Sequence, residues 1–146
     1  GDLNDLVNMQ SEQRILFLLN LFKLLDNIER QFPRVFHDDL SPANIRIGIK
    51  PENVYLIDIE SFRKKEDGRS WYHAMLGDAV LHLTASHEYS RSIDLVVKND
   101  VMVSLETYIK ANGGASKFPK IIEQYEHIVN SEPVADYVPI DAIRQD

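Results

Sequence analysis

The longest stretch with a regular hydrophobic pattern lies near the start of the chain. Leu18, Leu21, Phe22, Leu25, Ile28 and Phe32 recur at three- and four-residue steps, the spacing of one face of an α-helix. Leu16, Phe17, Leu19 and Leu24 widen that face, which predicts a central helix packed on more than one side. Its expected limits are Ser11, a plausible N-cap, and Gln31, with Pro33 as the stop. Residues 3–9 read as a short helix or turn before it. The run Ile15 to Leu25 is broken by Asn20 and Lys23 and is too short to span a bilayer.

The pattern then changes period. Val35-Phe36 reads as extended, and residues 37–44 form a loop in which Pro42 fixes part of the backbone. Ile45–Ile49 and Val54–Asp58 read as two strands of a hairpin turning at Lys50–Asn53. This hairpin is expected to bring Asn44, before its first strand, near Asp58, at the end of its second. Arg63–Ser70 reads as a charged, solvated loop, and the rest of the chain as helical. Helices are expected over Asp78–Ser86, Ser92–Val97, Asp100–Ala111 and Pro119–Val129, the third closed by Asn112-Gly113-Gly114. Residues 141–144 read as a last short helix or loop.

Composition narrows the classes. A chain of 146 residues with 44% hydrophobic and 27% charged content suits a single domain with its own core. A net charge of −7 argues against nucleic acid as partner, because phosphate contacts need a basic face. The absence of cysteine excludes disulfides, thiolate metal sites and a cysteine nucleophile. Together with the acidic start Gly1-Asp2-Leu3-Asn4-Asp5, which lacks a secretory n-region, it leads to the expectation of a cytoplasmic setting without a membrane partner. Gly1-Asp2 reads as an introduced boundary as much as a natural start.

The candidate chemistry lies around the hairpin. Asn44 follows Asp39 by five residues, and Asp58 follows Asn44 by fourteen. Phosphoryl transfer needs magnesium to neutralise phosphate oxygens and a carboxylate to orient the attacking hydroxyl and take its proton. Magnesium takes hard oxygen ligands and keeps several waters, so one or two side chains and the phosphates suffice. Asp58 can supply a carboxylate oxygen, Asn44 an amide oxygen, and Asp39 is left to face the acceptor. The plain alternative is that Asp39 and Asn44 make loop hydrogen bonds while Asp58 caps a turn.

His37-Asp38-Asp39-Leu40-Ser41-Pro42-Ala43-Asn44 resembles the His-x-Asp-x-x-x-x-Asn catalytic loop of the kinase-like superfamily. Its flavour is that of the aminoglycoside phosphotransferase and choline kinase branch. Ile57-Asp58-Ile59-Glu60 resembles that branch's Ile-Asp-x-Glu, and Gly77-Asp78-Ala79-Val80-Leu81-His82-Leu83 its Gly-Asp-x-x-x-Asp-Leu, with His82 in place of the second Asp. The close likeness covers residues 36–60, and a looser one residues 77–83. It implies an α+β, mostly helical fold, a kinase-like C-terminal lobe with a small β-hairpin at the catalytic site. The catalytic loop and metal hairpin would occupy residues 35–60 and a helical subdomain residues 70–146.

By this resemblance Asp39 would be the catalytic base, and Asn44 and Asp58 the ligands of Mg2+. His37, Glu60 and Asp78 would support the site. The activity implied is transfer of the γ-phosphoryl group of ATP to a hydroxyl of a small molecule. Asp38 stands where Gly or Arg is usual, an extra negative charge beside the base. Asp38, Arg63, Trp71 and Tyr72 are possible substrate contacts, weighed against a solvated loop and loop-anchoring aromatics. No Gly-rich loop and no strand lysine precede the motif, so the N-terminal lobe that covers the nucleotide is expected to be missing from this chain. These residues alone are therefore expected to be inactive. The alternative function is a non-catalytic, pseudokinase-like module that acts through a protein partner. A helical scaffold with a chance motif is the third reading.

Overall fold

The computed structural model describes residues 3–32, 35–37, 44–48, 50, 53–56, 62–64, 79–80, 83, 95–119, 121–123 and 126. Among them the fold is mixed α and β, mostly helical, with two small antiparallel ladders. A 3-10 helix, Leu3–Asn8, leads into α1, Ser11–Gln31. Four short strands follow: β1 (Val35–His37), β2 (Ile45–Ile47), β3 (Val54–Leu56) and β4 (Phe62–Lys64). A second long helix, α2, spans Leu95–Ala111, and a 3-10 turn, Ala115–Lys117, comes after it.

The core lies between α1 and α2. Phe17, Leu18, Leu21, Phe22 and Leu25 of α1 are fully buried, as are Val97, Val101, Met102, Leu105 and Ile109 of α2. Each such side chain contributes about 1.5–3 kcal/mol by leaving water. Tyr108 makes two aromatic contacts in this core. Its ring meets Phe22 edge-on with centroids 5.8 Å apart, and Phe118 at 5.9 Å. Leu6, Ile45, Ala79, Val80, Leu83, Ile121 and Ile122 complete the cluster.

The face of α1 is narrower than its leucine content suggests. Leu19 and Leu24 are half-buried, while Leu16 is 48% exposed, so α1 is amphipathic and not enclosed. Phe32 is 57% exposed. The helix ends at Gln31, and Phe32 has left helical geometry at φ −130°, ψ 67°. The four-residue phase from Ile28 therefore no longer aims Phe32 at the core.

Ser11 is the first helical residue and not the cap. Gln10 occupies the cap position in extended geometry, without a side-chain cap bond. The Ser11 hydroxyl instead donates to Asp100 Oδ2 across the helix pair, at 2.9 Å. Arg14 Nε also donates to that oxygen, at 2.8 Å, with only 7% of either side chain exposed. The Arg14 guanidinium further donates through Nη1 to the carbonyls of Leu6 and Met9. One buried arginine thus ties the 3-10 helix, α1 and α2 together.

The same pair explains a second difference. Two helices expected at Ser92–Val97 and Asp100–Ala111 are one, continuous through Lys98-Asn99-Asp100 from Leu95 onward. Asp100 in that polar triplet is 95% buried against Arg14. Ser104 Oγ donates back to the Asp100 carbonyl at 2.7 Å within the unbroken helix. At the other end Asn112-Gly113-Gly114 closes α2 as expected. Gly113 sits at φ +108°, and the Gly114 amide donates to the Ile109 carbonyl at 2.9 Å.

Candidate functional site

The strands form two ladders, one nested inside the other along the chain. β2 pairs with β3 in the register Ile45↔Leu56, Arg46↔Tyr55, Ile47↔Val54, which is the expected hairpin. The turn is closed by the Asn53 amide donating to the Lys50 carbonyl, and the Gly48 amide to the Asn53 carbonyl, both at 2.9 Å. β1 pairs with β4 in the register Val35↔Lys64, Phe36↔Arg63, His37↔Phe62. The sequence does not announce β4. Arg63 and Lys64, read as part of a charged loop, are strand residues with exposed side chains. A ladder bonds through the main chain, so a charged edge strand is compatible with it and guards the edge against further pairing.

The ladders frame two segments, 38–44 and 57–61. The first leaves β1 after His37 and enters β2 at Ile45. The second leaves β3 after Leu56 and enters β4 at Phe62. His37 pairs with Phe62, and Ile45 with Leu56. The residues that flank one segment are therefore paired with the residues that flank the other. Asp38, Asp39 and Asn44 belong to the first segment by sequence, and Asp58 and Glu60 to the second.

His37 is 2% exposed, and its ring meets that of Phe62 edge-on, with centroids 4.9 Å apart and planes at 76°. An edge-to-face aromatic pair of this kind contributes about 0.5–1.5 kcal/mol beyond its buried area. His37 is in this way a bracing residue at the root of the 38–44 segment. Asn44 is half-buried at the other root, one residue before β2. Ile45 beside it is fully buried in the core cluster, which fixes that root against the helices. Arg63 lies on β4, where Nη1 donates to the Phe62 carbonyl at 3.4 Å. Asp38, Asp39, Asp58, Glu60, Trp71, Tyr72 and Asp78 lie outside the described residues.

Phe62 carries little signal in the sequence: it is a lone aromatic next to a run of charges, and its partner, His37, is far away in the chain. Among the described residues no helix is long and apolar enough to cross a membrane. Compared with models of known protein families, with curated proteins and with solved structures, the chain finds no match.

Proposed function

We propose that this chain is the C-terminal lobe of a kinase-like phosphotransferase that moves the γ-phosphoryl group of ATP to a hydroxyl of a small molecule. The observation that carries this reading is the nested pairing of His37 with Phe62 and of Ile45 with Leu56. It ties the segment holding Asp39 and Asn44 to the segment holding Asp58. Phosphoryl transfer requires base and metal ligands to converge, and the protein supplies positioning more than covalent chemistry.

In this reading Asp39 orients the acceptor hydroxyl and takes its proton. The Asn44 amide oxygen and an Asp58 carboxylate oxygen hold Mg2+, hard donors suited to that ion. When bound, the metal neutralises phosphate oxygens of ATP. His37 and Phe62 keep the loop root in place, and Glu60 and Asp78 support the site. The nucleotide is covered by an N-terminal lobe.

The test uses the full-length protein with Mg2+ and ATP. D39N lowers phosphoryl transfer by about 10²–10⁴-fold, the usual worth of a positioned base. D58N abolishes metal-dependent turnover. On the present chain, Mn2+ serves as a paramagnetic probe and broadens the Asn44 side-chain amide signal first, an effect that D58N removes. Unchanged turnover in D58N would overturn the assignment. A wild-type full-length protein that binds Mg-ATP without turning it over would instead indicate a pseudokinase-like module.

A further inference from the structure

Asn112-Gly113, at the end of α2, is the one place in the chain where asparagine precedes glycine. Both residues are exposed, whereas Gly114 after them is buried. The cap is closed by the amides on either side of Gly113. Those of Asn112 and Gly114 both donate to the Ile109 carbonyl, at 3.1 and 2.9 Å, and neither bond uses the Gly113 nitrogen. Gly113 sits at φ +108°, a conformation that glycine adopts without strain. It has no side chain to shield its nitrogen from the carboxamide one residue earlier.

That carboxamide is held lightly. Asn112 Nδ2 donates to the Tyr108 carbonyl at 2.8 Å, which draws the side chain back over the last turn of α2. One neutral hydrogen bond of this kind slows release of the side chain by about tenfold at most.

A cation stands over the same spot. A Cβ on Gly113 would lie 2.9 Å from Lys117 Cγ and 3.5 Å from Lys117 Cε. The ammonium is bonded to that Cε, so a positive charge is carried beside Gly113. Lys110, in the turn before, is engaged by Glu106 at 2.6 Å.

We propose that Asn112 is a self-modification site, which converts to aspartate and isoaspartate through ring closure by the Gly113 nitrogen. Hydroxide takes the Gly113 amide proton, and the nitrogen attacks Asn112 Cγ. A C–N bond forms to close a succinimide, the Cγ–Nδ2 bond breaks, and Nδ2 takes a proton from water and leaves as ammonia. Water then opens the ring at either carbonyl. The net change is one water consumed and one ammonia released. Negative charge develops on the nitrogen and then on the carboxamide oxygen, and the Lys117 ammonium favours both.

The conversion loosens the cap in one direction. A carboxylate accepts hydrogen bonds only, so it cannot donate to the Tyr108 carbonyl. It also places negative charge at the negative end of the helix dipole. Isoaspartate adds a methylene to the main chain between the two amides that meet Ile109. Both products act where Tyr108 packs on Phe22 and Phe118. None of this depends on the phosphotransfer reading.

The test is incubation of the purified chain at mildly alkaline pH, with peptide mass mapping over time. Asn20 and Asn27 serve as internal references, because Leu21 and Ile28 after them lie inside α1. Asn112 is expected to convert faster than either by about tenfold or more, with both aspartate and isoaspartate as products. Lys117 is exposed, and K117Q slows the conversion by about two- to fivefold. N112D, which carries one product from the start, quickens hydrogen exchange at the Gly114 amide. Conversion no faster than at Asn20 and Asn27 would overturn the site. Aspartate without isoaspartate would replace ring closure by direct hydrolysis. An unchanged rate in K117Q would remove the lysine from the step, and unchanged exchange in N112D would overturn the loosening.

Discussion

The helix pair and the nested ladders are built on opposite terms. Between α1 and α2, long elements bury a continuous apolar face and enclose one fully paired ion pair, Arg14–Asp100. The ladders are strands of three residues each. An isolated two-stranded ladder of that length is not stable in water. It persists because α1 packs on β1 and β3, and because Ile45 and His37 are buried. Stability thus resides in the helices, and the ladders borrow it.

The largest test of this division is the buried pair. R14M leaves the Asp100 carboxylate buried without its arginine and lowers unfolding free energy by about 3–5 kcal/mol, measured by urea denaturation. Both regions then melt together. Adding D100L recovers most of that loss, since a well-packed apolar pair replaces an ion pair at little cost. Failure of the double variant to recover would mean that Arg14 acts mainly through the carbonyls of Leu6 and Met9.

A smaller effect is expected at the frame. H37A removes a buried ring from against Phe62 and costs on the order of 2 kcal/mol. Amide hydrogen exchange at Val35–His37 and Phe62–Lys64 accelerates, while the amides of Met102–Ile109 keep their protection. Uniform acceleration in both regions would show that the two are one cooperative unit and that the division is false.

The smallest effect concerns the helix pair alone. G113A places a Cβ at φ +108°, beside Lys117 Cγ at 2.9 Å, and costs about 1–2 kcal/mol in the thermal midpoint analysis. Exchange in the ladders stays unchanged. If it quickens there as well, the end of α2 supports the frame more than the packing indicates.

The two regions also differ in how far they can be read from sequence. The limits of α1 follow from a three-four step and a proline, both local signals. The β2–β3 hairpin follows from two apolar runs around a Pro-Glu-Asn turn. The β4 strand does not, because its only apolar residue is Phe62 and its partner strand lies across the whole hairpin. The continuity of α2 was hidden by Asp100, whose burial depends on an arginine near the other end of the chain. The roots of the candidate site, His37 and Asn44, were singled out by motif. The bracing ring of Phe62 became visible only with the outer ladder.

Nesting also bears on the order in which the chain organises itself. His37 and Phe62 are far apart along the chain, and closing that loop from an open coil carries a substantial entropic cost. Once β2 and β3 have paired, the intervening chain is shortcut through Ile45 and Leu56, and the outer closure spans only the two flanking segments. The inner hairpin therefore precedes the outer ladder, and the pairing of His37 with Phe62 closes last.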